Sequence, residues 1–255
     1  MMKLRTYRVF QAMILSGMGF FLLNRFFSGQ LLVYIHQRYV WLVLPSAVSI
    51  LTLAYILFNR RPLHRSEESG FLIEKEAPAN AHWRLLLMLI PLVLGVVVPI
   101  SPLDAEAAAS RQVRQSLTFS SDPNLSEMVL ALDPGTRSIL EWLWAFDAAE
   151  DKAQLEGQPV NLEGFVIFDE NLPEGQFLIS RFVITCCVAD ATAIGLTVEP
   201  KDADTLITDT LKDTGGWVEV TGSMHITRRQ GEPSLLVKAD QIRLIERPEQ
   251  PYLYQ

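Results

Sequence analysis

The sequence is short of cysteine: its 255 residues include only Cys186 and Cys187, which are adjacent. A disulfide framework needs several separated cysteines, so that class of small secreted scaffold is excluded. Acidic residues outnumber basic ones, giving a net charge of -7, and this argues against nucleic acid as a partner because phosphate binding needs clustered Lys and Arg. Phosphate-binding loops, serine-triad motifs and zinc-protease motifs are also absent from the sequence, which favours a protein that is not an enzyme.

Apolar residues are abundant and unevenly placed. They make up 49% of the chain, the mean hydropathy is +0.19, and they are concentrated before residue 100, whereas most acidic residues follow it. This pattern predicts a membrane protein with a soluble part. Three apolar runs predict transmembrane helices at about residues 8–25, 38–58 and 83–100 within a membrane region 1–100.

The predicted helices have no Asp, Glu, Lys or Arg in their apolar cores. Ion and proton pathways usually need ionisable groups inside the membrane, so the helices are expected to act as anchors or as a surface for a partner in the lipid bilayer.

The basic residues of the flanking segments predict the orientation. Three lie in the N-terminus and five in the second loop, against two in the first loop. The positive-inside rule then places the N-terminus in the cytoplasm. With three spans, the protein is a multi-pass cell-membrane protein and the C-terminal domain is extracytoplasmic; if the third helix is not inserted, that domain is cytoplasmic.

Residues after the membrane region predict a linker at 101–121, a soluble domain at 122–247 and a tail at 248–255. Asp122-Pro123 and Thr136 mark the starts of two short helices that lead into the domain. From residue 159 the pattern changes to period two with β-branched and aromatic residues, which predicts strands at 160–168, 176–189, 193–198, 217–228 and 235–245, with a brief helix at 202–211. This order predicts a mostly β domain, a five-stranded OB-fold-like barrel with a short helical lead-in.

The cysteine pair has three interpretations. Strand alternation through Phe182 and Ile184 predicts that Cys186 faces the core and Cys187 faces outward. The pair can bind a metal together with Asp190 and His225, and soft thiolates suit Zn or Cu(I). It can form a vicinal disulfide or a redox-active pair, or both residues can be small buried core side chains.

Two neighbouring residues have structural interpretations. Asp190 is expected to form the turn between two strands. Arg181 is expected to pair across strands with Glu163 or Glu219 rather than to bind a ligand.

Residues 181–190 form the block Arg-Phe-x-Ile-x-Cys-Cys-x-Ala-Asp, which occurs together with N-terminal apolar helices, Gly164-Phe165-Val166, Gly195-Leu196, Trp217-Val218 and the tail 247–254. With these features the chain resembles the YcgQ-like family of bacterial membrane proteins. The resemblance covers nearly the whole chain, and the block at 181–190 is its specific part. It implies the second subunit of a two-component permease whose partner is a separate polytopic membrane protein, and it transfers no active site. We therefore expect a membrane-anchored accessory subunit whose barrel binds a partner, solute or metal; the alternative is a thiol- or metal-dependent redox protein that uses Cys186 and Cys187.

Overall fold

The computed structural model describes residues 4–59, 80–99, 101–109, 113–115, 128–169, 171–201, 216–229 and 231–254. The chain forms two compact units, Met1–Ser101 and Pro102–Gln255. Three predicted features lie wholly or largely outside the described residues: the loop between the second and third apolar runs, the start of the helix after Asp122, and the helix at 202–211.

The N-terminal unit is helical. Its helices are α1 (Leu4–Phe27), the single turn α2 (Gln37–Val40), α3 (Val43–Asn59) and α4 (Ala81–Val97). Two helical stretches of the described chain, Leu4–Phe27 and Gln37–Asn59, are long and apolar enough to cross a membrane.

The prediction of three spans was wrong, because the third apolar run forms a helix of only 17 residues. A bilayer needs about 20 residues. The helix stops early because Val98 precedes Pro99 and takes an extended conformation, as residues before proline usually do.

Small residues bring these helices close together. A Cβ atom on Gly19 of α1 would lie 2.6 Å from Leu51 of α3, and one on Gly95 of α4 would lie 2.8 Å from Phe21 of α1. Close approach at glycine is the usual way in which helices pack in lipid. At the end of α1, Arg25 donates a hydrogen bond of 3.1 Å to the carbonyl oxygen of Gly95, and nearer the start of both helices Gln11 contacts Met88. Helices α1 and α4 therefore run parallel and end side by side.

The C-terminal unit contains a closed β-barrel. Its strands are β1 (Pro159–Ile167), β2 (Phe177–Ile184), β3 (Thr192–Pro200), β4 (Trp217–Arg229) and β5 (Glu232–Ile245). They pair in the order β1-β2-β3-β5-β4-β1, and all pairs are antiparallel except β3 with β5. This five-stranded mixed barrel confirms the predicted OB-like architecture.

Two structural devices allow the barrel to close and the tail to join it. At the register shift between Thr221 and Gly222, a Cβ atom on Gly222 would lie 2.0 Å from the carbonyl oxygen of Lys238, so only glycine fits this bulge in β4. The tail returns as a short strand, β6 (Tyr252–Tyr254), which pairs in parallel with the second half of β2 where β1 has already diverged.

Two apolar clusters hold this unit together. The larger one fills the barrel and includes one face of helix α6 (Ile139–Ala148), whose first turn is fixed by a capping box between Ser138 and Glu141. The smaller one covers the outer face of β2 and β3, where helix α5 (Ala105–Ala109) and Tyr252 pack against Phe182 and Ile184.

The predicted facing of β2 was wrong. Val183 belongs to the barrel core together with Phe177 and Ile179, whereas Phe182 and Ile184 lie in the outer cluster. Both faces of this strand are covered, and apart from Ser180 and Arg181 its residues are apolar, so alternation does not reveal which face is the core. The strand also ends at Ile184, five residues before the predicted end, so both cysteines lie outside β2.

Candidate functional site

The loop that follows β2 is built around one carboxylate. Asp190 accepts hydrogen bonds from the backbone N–H groups of Thr185 at 3.1 Å, Cys186 at 2.7 Å and Cys187 at 3.4 Å. The N–H of Asp190 itself donates to the carbonyl oxygen of Cys187 at 3.0 Å and closes the turn. A side chain that satisfies these backbone donors ends the strand, because the donors no longer seek a sheet partner. The prediction of a turn at Asp190 is confirmed.

Both cysteines are free thiols at the surface. Cys186 is exposed and Cys187 is half-buried, so the interpretation as two buried core residues was wrong. Their Sγ atoms are 3.7 Å apart. A disulfide bond would bring them to about 2.05 Å, so the two sulfurs lie at a non-bonded contact distance.

Asp190 and Cys186 shift each other's proton affinity. The hydrogen bond of the thiol to Asp190, followed by its contact with Cys187, raises the pKa of Cys186 to about 12. Partial burial raises the pKa of Asp190, but the hydrogen bonds from the thiol and from the three backbone N–H groups outweigh it and leave the pKa of this carboxyl below its usual value. At neutral pH the pair is therefore a neutral thiol donating to a carboxylate.

These three side chains have the spacing of a metal site. One ligand atom from each of Cys186, Cys187 and Asp190 lies within 4.8 Å of the other two. A tetrahedral zinc ion with Zn–S bonds of about 2.3 Å holds two sulfur ligands about 3.8 Å apart. The observed separation of 3.7 Å matches that requirement without a change of backbone.

The fourth predicted ligand, His225, lies elsewhere on the barrel. It is on β4, where it pairs with Leu236 of β5. The side chains that have the spacing of a metal site are those of Cys186, Cys187 and Asp190, and His225 is not among them.

The ring of His225 has other partners. Nδ1 lies 2.6 Å from Oε1 of Glu156, and Nε2 lies 3.0 Å from Oγ of Ser223. The structure therefore brings together Cys186, Cys187 and Asp190 and places His225 in a different group.

Arg181 binds the C-terminal tail. Its Nε donates to the carbonyl oxygen of Pro251 at 3.3 Å, its Nη2 donates to that of Gln250, and its guanidinium stacks on Trp217 with 5.5 Å to the ring centroid. Burial lowers its pKa, which the charge of Glu163 opposes.

Of the two acidic partners predicted for Arg181, Glu219 pairs with Arg243 instead. Sequence alone did not identify Gln250 and Pro251, because backbone carbonyls leave no compositional signal. Arg181 also lines a cavity of about 500 Å³ together with Glu163, Trp144 and Tyr254.

Comparison with known proteins gives matches along most of the chain. Residues 10–114 match the DUF1980 N-terminal domain, and residues 140–255 match the DUF1980 C-terminal domain. The UPF0703 protein YcgQ of Bacillus subtilis (strain 168) is 24% identical over 297 residues, covering 96% of this chain and 99% of that protein. The match therefore extends through the helical unit and the barrel alike.

Proposed function

Because this chain belongs to the YcgQ-like family, with an N-terminal and a C-terminal DUF1980 domain, we propose that it is a membrane-anchored accessory protein whose barrel binds a thiophilic metal ion. Two helices long and apolar enough to cross a membrane support the anchoring. Their apolar cores carry no ionisable residue that would serve a transport path, so the helices hold the barrel at the membrane.

The observation that carries the proposal is the Sγ–Sγ separation of 3.7 Å between Cys186 and Cys187, with a carboxylate oxygen of Asp190 beside both. Two thiolates and one carboxylate are a ligand set that zinc accepts, and soft thiolates also suit Cu(I). The metal replaces the thiol proton that Asp190 now accepts as a hydrogen bond, so binding releases protons.

The site is suited to exchange rather than to permanent storage. Three protein ligands leave one tetrahedral position open, and Cys186 and Asp190 are exposed. A second protein or a water molecule can occupy the open position. The partner implied by the family resemblance is a polytopic permease, and the metal is then cargo that passes between the two proteins.

The redox alternative receives less support. Redox-active cysteines depend on a lowered pKa, because the thiolate is the reactive species. In this loop the pKa of Cys186 is changed in the opposite direction, since the hydrogen bond to Asp190 raises it to about 12.

The barrel is proposed to be extracytoplasmic. Helix α4 is shorter than a standard span, but it lies along α1 in the same direction, with Gln11 against Met88 near one end and Arg25 bonded to Gly95 at the other. The chain therefore leaves α4 at the same end of the helical unit at which it leaves α1. With the N-terminus in the cytoplasm, that end faces outward.

Metal content of the full-length protein tests the proposal. Membranes are crosslinked before solubilisation, so that a bound partner is purified with the protein. The purified protein is then reduced, loaded with zinc and dialysed, and the amount of metal per chain is measured. We expect one zinc ion per chain, a loss of at least about 90% of it in the double variant Cys186→Ser/Cys187→Ser, and co-purification of a polytopic protein.

The matched control is His225→Asn, which leaves the zinc content unchanged because the ring of His225 pairs with Glu156 and Ser223 and lies outside the group of Cys186, Cys187 and Asp190. Equal zinc retention by the wild type and the double cysteine variant would overturn the metal site. Recovery of no polytopic protein after crosslinking would overturn the accessory role separately.

A further inference from the structure

Glu156, Ser223 and His225 form a second polar group on the barrel, independent of the cysteine loop. Ser223 and His225 are two residues apart on β4, so both side chains project from the same face. Glu156 lies in the turn that precedes β1 and is fixed from two sides: Oε2 accepts the backbone N–H of Ile226 at 2.7 Å, and Oε1 lies 2.6 Å from Nδ1 of His225.

The hydrogen bonds define the roles of the two ring nitrogens. The N–H of Ile226, followed by the bond to His225, holds the pKa of Glu156 below its usual value, so the carboxylate is ionised and accepts only. Nδ1 therefore carries a hydrogen. In the neutral imidazole Nε2 then has a free lone pair, which accepts the hydroxyl hydrogen of Ser223 across 3.0 Å.

We propose that Ser223, His225 and Glu156 are a nucleophile, a general base and a positioning carboxylate, and that they give this barrel an acyl-ester hydrolase activity. The required contacts are present: nucleophile to base at 3.0 Å, and base to orienting carboxylate at 2.6 Å. Such groups are recognised by geometry rather than by order in the chain. A motif search misses this one because Glu156 is 67 residues before Ser223.

The site is open to solvent and takes small substrates. The side chains of His225 and Glu156 are 26% and 47% exposed. Lys238 lies directly opposite Ser223 in the β4–β5 register, so its Cβ is roughly 5 Å from that of Ser223 on the same face. The charge of Lys238 also reaches Glu156 and lowers the pKa of that carboxyl. The register thus places a cation beside Ser223, where the oxyanion of the acyl group develops.

The reaction balances without a cofactor. Oγ of Ser223 attacks the acyl carbon while its proton passes to Nε2 of His225. The ester C–O bond breaks, and His225 returns the proton to the leaving alkoxide, which departs as the alcohol. Water then adds to the acyl-serine by the same route, releasing the carboxylic acid and restoring the hydroxyl of Ser223.

The full-length protein is tested with p-nitrophenyl acetate and with a fluorophosphonate probe that forms a covalent adduct with activated serines. We expect one adduct per chain on Ser223, found by peptide mass analysis, and ester hydrolysis that falls about 100-fold in Ser223→Ala and His225→Asn. Glu156→Gln is expected to lower kcat with little change in KM, because it positions the base and does not touch the ester.

The matched control is Ser234→Ala on neighbouring β5, which keeps both activities. Thermal unfolding midpoints equal to that of the wild type confirm that the variants are folded. A folded wild type that gives no adduct on Ser223, or a Ser223→Ala variant that hydrolyses the ester at the wild-type rate, would overturn the proposal.

Discussion

Asp190 determines both the shape and the chemistry of the cysteine loop. Its carboxylate orders three consecutive backbone N–H groups and also accepts from the thiol of Cys186. Residue type and spacing were enough to predict the turn, since Asp satisfies nearby backbone donors. The side-by-side thiols could not be predicted, because strand alternation places neighbouring residues on opposite faces and β2 ends before it reaches them.

The reactivity of Cys186 tests whether the hydrogen bond to Asp190 controls the protonation of this thiol. With its pKa raised to about 12, this thiol stays protonated throughout the neutral range and gains its thiolate only as the pH approaches that value. Alkylation needs the thiolate. In a Cys187→Ser background, Asp190→Asn is expected to raise the rate of iodoacetamide alkylation at pH 8 by about tenfold or more.

The rate is measured by intact mass over time, with Thr192→Ala as the control, because the hydroxyl of Thr192 donates to the backbone carbonyl oxygen of Asp190 rather than to its carboxylate. Equal alkylation rates in the parent and in Asp190→Asn would show that the carboxylate does not control this thiol.

At the scale of elements, β6 depends on contacts that sequence patterns do not reveal. It is three residues long and joins β2 through the pairs Phe182 with Tyr252, Val183 with Leu253 and Ile184 with Tyr254. Prolines at 248 and 251 flank it, which favours a tail over a strand. The five barrel strands were predictable because each has alternating or β-branched residues bounded by turns, whereas β6 is placed by tertiary contacts such as those of Arg181.

Removing the guanidinium of Arg181 should release this strand. Arg181→Gln loses the donors to Pro251 and Gln250 and the stacking on Trp217. We expect a loss of about 1.5–3 kcal/mol in the free energy of unfolding, the usual contribution of hydrogen bonds to a charged group. Urea unfolding measures the loss, and carboxypeptidase digestion is expected to remove the last residues faster.

Arg243→Gln is the matched control. Arg243 pairs with Glu219 but its side chain is 73% exposed, and such surface pairs contribute about 0–1 kcal/mol. A loss in Arg181→Gln no larger than the loss in this control would mean that the tail is held by its backbone pairing alone.

For the whole molecule, the two units follow from the sequence in different ways. Hydropathy located the helical part because lipid selects composition directly. It overestimated the third helix, since mean hydropathy does not register that Pro99 ends α4 at Val97. The barrel followed from strand order, while its closure depends on local features such as the bulge at Gly222.

The side of the membrane that carries the barrel is a prediction at this scale. In a background of Cys186→Ser and Cys187→Ser, single cysteines replace three exposed residues: Arg5 at the start of α1, Ser28 after α1 and Glu150 in the C-terminal unit. A membrane-impermeant maleimide applied to intact cells is expected to label Ser28→Cys and Glu150→Cys. It should label Arg5→Cys only after permeabilisation, because the N-terminus is placed in the cytoplasm. If Glu150→Cys is protected to the same extent as Arg5→Cys, the barrel is cytoplasmic.

The return of β6 to the barrel also governs how copies of this protein behave towards one another. The pairing of β1 with β2 runs from Ile167–Leu178 to Phe165–Ser180, and beyond Ser180 the backbone of β2 would present unpaired N–H and C=O groups to this side. β6 covers that edge at residues 182–184. Exposed strand edges recruit further strands, and the membrane anchoring proposed above would keep neighbouring barrels at high local concentration. A chain shortened before residue 248 would therefore expose a template for edge-to-edge aggregation beside the loop that carries Cys186 and Cys187.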